Sequence, residues 1–541
     1  MNVERLWRNG MLRATAAGAI MLGMGLAARV SAGDIVWTGG DETWFDTGNW
    51  NLGRLPVGGS VTSDNAIVRN NGTARIEAPG AVSYNVTIAE NGSGNLFVGP
   101  GGTLSCNLLQ TYGIQKVTHR GEIVMAGGTV DCTRIYFSYN GPGLILVTGG
   151  VARVAGAASA ILGGTGYGNA GPFVLHVGGN GRMEMAAGSE AKLGRVAGTR
   201  SYLHLSGNGV MTNLSTLVLG HSSSNCLGML TISNNAALHM TGNLYIAGDS
   251  DDDDFATEFG STGIVEVAGG SLCTAGDIYP GFFGMGMLNI KGGTVACAGS
   301  MIINYRNGYA SVRQSGGLVD VKSLYFGYGA SRISQVYYHL EGGALRVRLA
   351  VTSPMTDKAD AVFNLTGGTF SFWRWDRINH PMPDLVNAGA TMSPGLENAG
   401  YMDIQTNYVE TAAACRFQVD LGGTAQATSA QGGVTNALGY YDHVNVAGMA
   451  TLQGDLDVRF INGFEEAVKA TDKFTVMATG GGIAGAFANV ASGGRIATAD
   501  RHSFLVYYGS NAATTGAGLD PKKVTLTGFK RAPMGSILTV R

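Results

Sequence analysis

The hydrophobic pattern of this chain is one short phrase, repeated. Four residues follow each of a series of glycine pairs, as in Thr103-Leu104-Ser105-Cys106, Thr129-Val130-Asp131-Cys132 and Thr294-Val295-Ala296-Cys297. Leu318-Val319-Asp320-Val321, Ala344-Leu345-Arg346-Val347 and Thr369-Phe370-Ser371-Phe372 read the same way. The second and fourth members are apolar and the third is usually polar or small. That period of two belongs to a strand with one buried face. Two further short strands complete each unit. Leu324-Tyr325-Phe326 precedes Tyr337-Tyr338-His339-Leu340, and the glycine phrase at Gly342 follows; Leu217-Val218-Leu219, Leu230-Thr231-Ile232 and Leu238-His239-Met240 repeat that order.

The glycine pairs begin at Gly101, Gly127, Gly149, Gly178, Gly269, Gly292, Gly316, Gly342 and Gly367, with degenerate copies at Gly207 (Gly-Asn-Gly) and Asn234 (Asn-Asn). They recur about every 26 residues, and a fixed period of this size marks a stacked solenoid. Three strands in that length make one coil of a parallel β-helix. The predicted fold is therefore all-β: a right-handed parallel β-helix of about 26 residues per coil, with end caps and a small C-terminal β region. Eleven marked coils at about 4.8 Å each give a rod on the order of 50 Å long. The wide gap between Asn234 and Gly269 carries an insertion containing Asp249–Asp254, which a solenoid places in a loop on one face.

Composition agrees with this reading. Glycine supplies 86 of 541 residues, only 14% of residues are charged and 45% are hydrophobic, so the chain can bury a large core. The first 32 residues read as a Sec-type signal peptide: Arg5, Arg8 and Arg13, an apolar stretch over Ala14–Ala28, and Val30-Ser31-Ala32 as cleavage site. Their removal takes away four arginines and one glutamate and moves the formal charge from −2 to −5. No basic patch points to nucleic acid. No later apolar run is long enough to span a membrane, so no transmembrane segment is expected after cleavage.

Six cysteines in an exported chain raise the question of disulfides. Cys106, Cys132 and Cys297 occupy a slot held elsewhere by Val or Phe, so they read as buried small hydrophobes. Cys106 and Cys132 fall on consecutive coils, and the sequence leaves open whether they are bonded. Cys273 is one position out of phase and points toward the surface.

Candidate chemistry is sparse. Asp131 and Asp320 take the outward third position on distant coils, where Ser105, Ala296, Arg346 and Ser371 supply no second carboxylate. They read as solvated residues. Asp249–Asp254 is either a calcium-binding run or a hydrated loop; it lacks the glycine spacing of known calcium loops, which favours the loop. Trp373 and Trp375, with Arg374, Arg377 and His380, form either a carbohydrate-stacking platform or a cap on the last coil, and capping is favoured. Trp37, Trp44 and Trp50 read as the opposite cap. No zinc-protease, nucleophile-elbow or phosphate-loop motif is present. No catalytic, cofactor or metal site is assigned.

After Phe372 the coil pattern weakens into an irregular stretch over Trp373–Pro383. Then come Ser393-Pro394-Gly395, Tyr441-Asp442-His443-Val444-Asn445-Val446-Ala447-Gly448, Leu452-Gln453-Gly454-Asp455-Leu456-Asp457-Val458, Phe474-Thr475-Val476 and Gly485-Ala486-Phe487-Ala488-Asn489-Val490. This order resembles the C-terminal part of autotransporter-associated β-strand repeat proteins, which are similar to autotransporter passenger domains. Trp37, Trp44, Asn49-Trp50, Pro56 and Asp64 resemble their start. The expected organisation is a signal peptide (1–32), an N-terminal β cap region (33–95), β-helix repeats (96–372) and a C-terminal passenger-like β region (373–541). The sequence departs from the autotransporter pattern in having no run of translocator strands, so secretion through a pore of its own is not expected. The resemblance implies a secreted or cell-surface bacterial protein.

The functional expectation is an exported structural or adhesive β-solenoid of the cell surface, non-catalytic, with surface glycans or other cell-surface proteins as partners. One alternative is a carbohydrate-binding adhesin, which requires Trp373, Tyr325, Tyr328 and Tyr337 to line one external groove. Another is a β-helix polysaccharide lyase or hydrolase.

Overall fold

A computed structural model describes residues 33–58, 63–111, 119–137, 142–156, 160–163, 172–221, 225–248, 260–305, 308–327, 334–352, 359–376, 383–395, 398–429, 439–509 and 519–533. The expected signal peptide and the Asp249–Asp254 run lie outside them. The chain is nearly all β, 58% strand and 2% helix, in parallel stacked coils of about 26 residues. It is a β-solenoid, as the glycine period predicts.

Each coil contributes to three parallel sheets. The first holds strands that precede the glycine turn, such as Phe173–Val177, Arg200–Leu205 and Leu227–Ile232. The second holds the glycine phrase, as in Arg182–Met185, Val210–Leu214 and Ala237–Met240. The third holds Glu190–Leu193, Thr216–Leu219 and Leu244–Ile246. In several coils the strands fuse across the bend, as in Leu318–Phe326 and Gly121–Phe137.

The period of two is obeyed on the second sheet. Its second positions stack in register from Ala81 and Leu104 through Val130, Ala152 and Met183 to Phe370, Met392, Phe417 and Leu456, and all are buried. Burying one such side chain contributes about 1.5–3 kcal/mol, so a column of this length is a large part of the driving force. The column crosses both 95/96 and 372/373, so stacking is continuous through both expected boundaries. Two polar ladders reinforce it. Asn85 donates to Asn65 and Asn107 to Asn85, at 2.9 and 3.3 Å, and Asn208 donates to Asn180 and Asn235 to Asn208, at 3.1 and 3.3 Å.

The glycine turn has two forms. In the two-residue form the second glycine is left-handed, as at Gly343 (φ 74°), and a Cβ there would lie 2.2 Å from the carbonyl oxygen of Gly317 on the neighbouring coil. The Gly178–Gly181, Ser206–Gly209 and Ser233–Ala236 turns instead close over four residues. A Cβ on Gly207 would meet nothing nearer than 3.1 Å. The extra room is why the left-handed site of the next such turn is Asn234 (φ 58°), since Asn tolerates that conformation better than other side chains.

The structure corrects the expectation for Trp373–Pro383. Thr369–Asp376 is one strand, and its second half enters the third sheet with Arg374 opposite Asp403 and Trp375 opposite Ile404. Trp375 is a core residue packed against Phe363 and Phe372, with ring centroids 5.5 and 6.2 Å away; it caps nothing. Trp373 lies at the bend between the second and third sheets, and only Trp375 turns into the core.

Both ends of the stack are closed. At the N-terminal end Trp37, Trp44 and Trp50 are buried, as expected of a cap, with Trp50 edge-on to both neighbours at 5.0 and 4.7 Å. Arg54 grips the buried Asp64 carboxylate through two hydrogen bonds of 2.5 and 2.9 Å. At the other end Phe474–Thr479 pairs antiparallel with Lys523–Lys530, which pairs with Ser503–Tyr507 and through it with Arg495–Ala497. That antiparallel flap covers the free edge of the third sheet.

Candidate interaction face

The three outer surfaces of the solenoid are chemically different. On the second sheet the third positions form a ladder of charged and small residues. Asp131 faces Arg153, and Arg153 faces Glu184. The guanidinium lies 3.4 Å from Asp131 and 3.1 Å from Glu184. The slot thus does hold a second carboxylate near Asp131, contrary to expectation, but an arginine sits between the two. Asp320 is paired in the same way, at 3.7 Å from Arg346 and 2.8 Å from Arg348. Seven rungs, about 34 Å at the usual strand spacing, separate Asp131 from Asp320. These are ion-pair ladders along a strand face, not a convergent acid–base pair.

Over residues 216–305 the third sheet is covered by the chain's own turns. Its outward residues Val218 and Tyr245 are 0% and 7% exposed. Phe282 and Phe283 fold back over them, Tyr245 stacks on Tyr279 at 4.9 Å, and Phe282 stacks on Tyr305 at 4.7 Å. Asp277 fixes this layer by accepting hydrogen bonds from the Tyr279 hydroxyl (3.0 Å) and the Ser300 amide (2.6 Å). Nothing in the strand period signalled this second layer, because its parts come from turns of unequal length. Farther along the rod, a cavity of about 240 Å³ at the corner of the third and first sheets is floored by Phe326, Phe363 and Trp375. Its polar lining is Asn364 and Asp384, and the Trp375 indole N–H donates to the Pro383 carbonyl at 3.2 Å.

The aromatic residues expected to share one groove are dispersed. Tyr325 is on the third sheet opposite Ile302, whereas Tyr337 is on the first opposite Ser311. Trp373 is half-buried at the bend between the second and third sheets. Tyr328, Arg377 and His380 lie outside the described residues.

The first sheet is the open one. On Arg200–Leu205, for example, Ser201, Leu203 and Leu205 face the core while Arg200, Tyr202 and His204 face out. The middle outward column runs Leu144, Val174, Tyr202, Met229, Ile264, Met287, Ser311, Tyr337, Val362 in unbroken register. Beside it run Arg200, Leu227, Thr262, Met285 and Tyr309 on one edge; Met285 is 45% exposed and Tyr309 37%. The other edge is polar: His176, His204, Thr231, Glu266, Asn289, Arg313, His339 and Asn364. Its charges are already paired, Glu266 with Lys291 at 2.5 Å and Arg313 with Glu341 at 2.9 Å. Tyr202 stacks on His204, and Tyr337 on His339. Sequence reasoning missed this face because outward residues at one strand position gain meaning only when nine coils are set in register.

The buried titratable groups are structural. All six cysteines are free, so Cys106 and Cys132 are not bonded although they stand opposite one another. Burial pushes the Cys106 thiol well up and that of Cys132 up to about 12. Cys273, in the outward slot, is half-buried, and the other five are buried. In the C-terminal coils two carboxylates act as clamps. Asp442 accepts from the amides of Gly400 and Asp420 at 2.6 and 2.8 Å, and burial holds its pKa well above the usual range. Glu410 accepts from the amides of Gln453 and Gly454, both at 2.8 Å, and from the Tyr408 hydroxyl; burial raises its pKa. Among the described residues no group of three or more His, Cys, Asp or Glu side chains is placed to hold a metal ion, and no helix is long and apolar enough to cross a membrane.

The chain matches no family model, no curated protein and no solved structure.

Proposed function

We propose that this protein is an exported, non-catalytic β-solenoid of the bacterial cell surface with a structural or adhesive role, and that it adheres through the outer face of its first sheet. The observation that carries this reading is the contrast among the three faces. One is laddered with ion pairs, one is covered by its own turns over residues 216–305, and one presents a column of nine outward positions, all apolar or aromatic except Ser311. Contiguous exposed apolar surface on a folded protein marks a contact site. Export rests on the leader-like residues 1–32, and the surface location on the resemblance to autotransporter-associated repeat proteins.

Beads carrying the purified protein, drawn across a methyl-terminated surface in a flow cell, are expected to be retained. The Ile264→Glu/Met287→Glu variant is expected to lose retention by roughly tenfold or more, as two charges enter the contact. Equal retention of the two proteins refutes the assignment of the face. A glycan-coated lane tests the second reading, a carbohydrate-binding adhesin, which the stacked Tyr202–His204 and Tyr337–His339 pairs favour. Retention there that is lost in Tyr337→Ala but kept in the glutamate variant selects the sugar.

A further inference from the structure

We infer that the stripe on the first sheet is a self-association surface, and that two copies of the chain pack side by side with their rods parallel. This rests on the reading of that face as a contact surface and names its partner.

The size fits. From Leu144 to Val362 the stripe spans eight rung intervals, about 38 Å, and three outward residues make it roughly 15 Å wide. The footprint is on the order of 600 Å², close to the about 800 Å² per partner of a standard protein interface. The shape fits as well, since a long, narrow, regularly stepped strip is matched along its whole length by another such strip. The composition is that of an interface: Tyr, Met and Arg recur. From Val174 to Tyr337 charge is sparse on this face, and Glu266 is neutralised by Lys291 at its polar edge. End-to-end growth is closed off by the tryptophan cap and the antiparallel flap, which leaves the side of the rod.

Charge selects the orientation. With the two-fold axis along the rod, each rung faces its own copy and the two edge columns exchange places. Tyr309 then lies over the Arg313 guanidinium of the second copy, a cation–π pairing, Thr262 lies over Glu266, and Met287 meets Met287. With the rods antiparallel and centred on Ile264, each edge column faces itself and Glu266 meets Glu266. Glu266 is paired with Lys291 in either arrangement, and the Tyr309–Arg313 contact that only the parallel pair makes is what favours it. It is an isologous, closed contact, which ends at two copies.

Sedimentation equilibrium of the purified protein at about 100 µM is expected to give a dimer, with Ile264→Glu/Met287→Glu weakening association by roughly 100-fold. Both substituted side chains face out, so circular dichroism should be unchanged, and melting is compared at a concentration low enough that both proteins are monomeric. Ser311→Cys places a thiol opposite its own copy in the parallel pair and opposite Tyr202 in the antiparallel one. A bismaleimide cross-linker whose spacer matches the roughly 10 Å separation of packed sheets is therefore expected to link two copies of Ser311→Cys and not two copies of Thr212→Cys on the second sheet. A monomer at that concentration, or equal association of wild type and the glutamate variant, overturns the inference. A dimer that Ser311→Cys fails to cross-link overturns the parallel arrangement. A monomer that is still retained in the flow cell refutes self-association alone and leaves the adhesive face standing.

Discussion

Replacing Gly343 by alanine tests the physical basis of the repeat. Two effects add there. The left-handed φ of 74° disfavours any residue with a Cβ by about 1–2 kcal/mol. The new methyl would also lie 2.2 Å from the Gly317 oxygen and 2.5 Å from the Gly316 carbonyl carbon. Both are backbone atoms that cannot swing aside, so two coils must part locally. Overpacking of that kind adds about 1–3 kcal/mol. Gly198 separates the effects, since its φ is 77° but a Cβ there meets nothing within 4 Å. Gly198→Ala should therefore destabilise by the conformational part alone, and Gly343→Ala by about 2–5 kcal/mol in all. Urea denaturation followed by circular dichroism compares the two, and hydrogen exchange at Leu318–Phe326 and Ala344–Thr352 shows whether the added loss is local. If the two substitutions agree within about 0.5 kcal/mol, the glycine is kept for its conformation only and the collision argument fails. Gly343→Asn should stay near the alanine value, because asparagine eases the φ and not the collision, whereas Gly207→Asn should be nearly silent.

Three further outcomes are expected. Burial lifts Asp420 to about 6, so its neutral form is favoured in the folded state. The stability it contributes is complete below its unfolded pKa near 3.8 and is lost as pH rises through about 6. Asp420→Asn should therefore stabilise at pH 8 and change little at pH 3, as read from denaturation midpoints at the two pH values; an equal effect at both refutes the burial argument. Native protein titrated with a thiol reagent should show Cys273 reacting first and the five buried thiols only on unfolding; early release from Cys106 or Cys132 contradicts their placement. Trp375→Ala should destabilise by about 3–5 kcal/mol, against well under 2 for Trp373→Ala; equal melting temperatures would return Trp375 to the surface.

The period of the glycine pairs gave the solenoid, and the four-residue phrase correctly placed Val130, Val319 and Leu345 inside and Asp131 and Asp320 outside. Local alternation determines which way a side chain points, so this much is legible from one strand. What stood opposite Asp131 was not, because that depends on register between coils. The turn at Gly178–Gly181 is two residues longer than the one before it at Gly149-Gly150. Counted from the glycine pair, Arg182 falls in the third position; counted from the end of the turn, Glu184 does. The same dependence hid the first-sheet stripe. Trp373–Asp376 was misread for a different reason: no glycine pair follows it. The next bend is built on Asn387, whose side chain bonds the Gly389 and Ala390 amides at 3.2 and 2.8 Å. A hydrogen-bonding side chain there does what a second glycine does elsewhere, and a search for glycine cannot find it.

The closed ends make the molecule a gauge of distance. A stack with open edges would extend by adding subunits, and its reach would vary with concentration. Here the stacked coils belong to one polypeptide, so the length of the described rod is encoded in sequence and changes only in whole steps. Gaining or losing one coil of about 26 residues shifts whatever is carried at one end by about 4.8 Å and leaves every other rung in place. A lineage can therefore lengthen or shorten this spacer without redesigning its core.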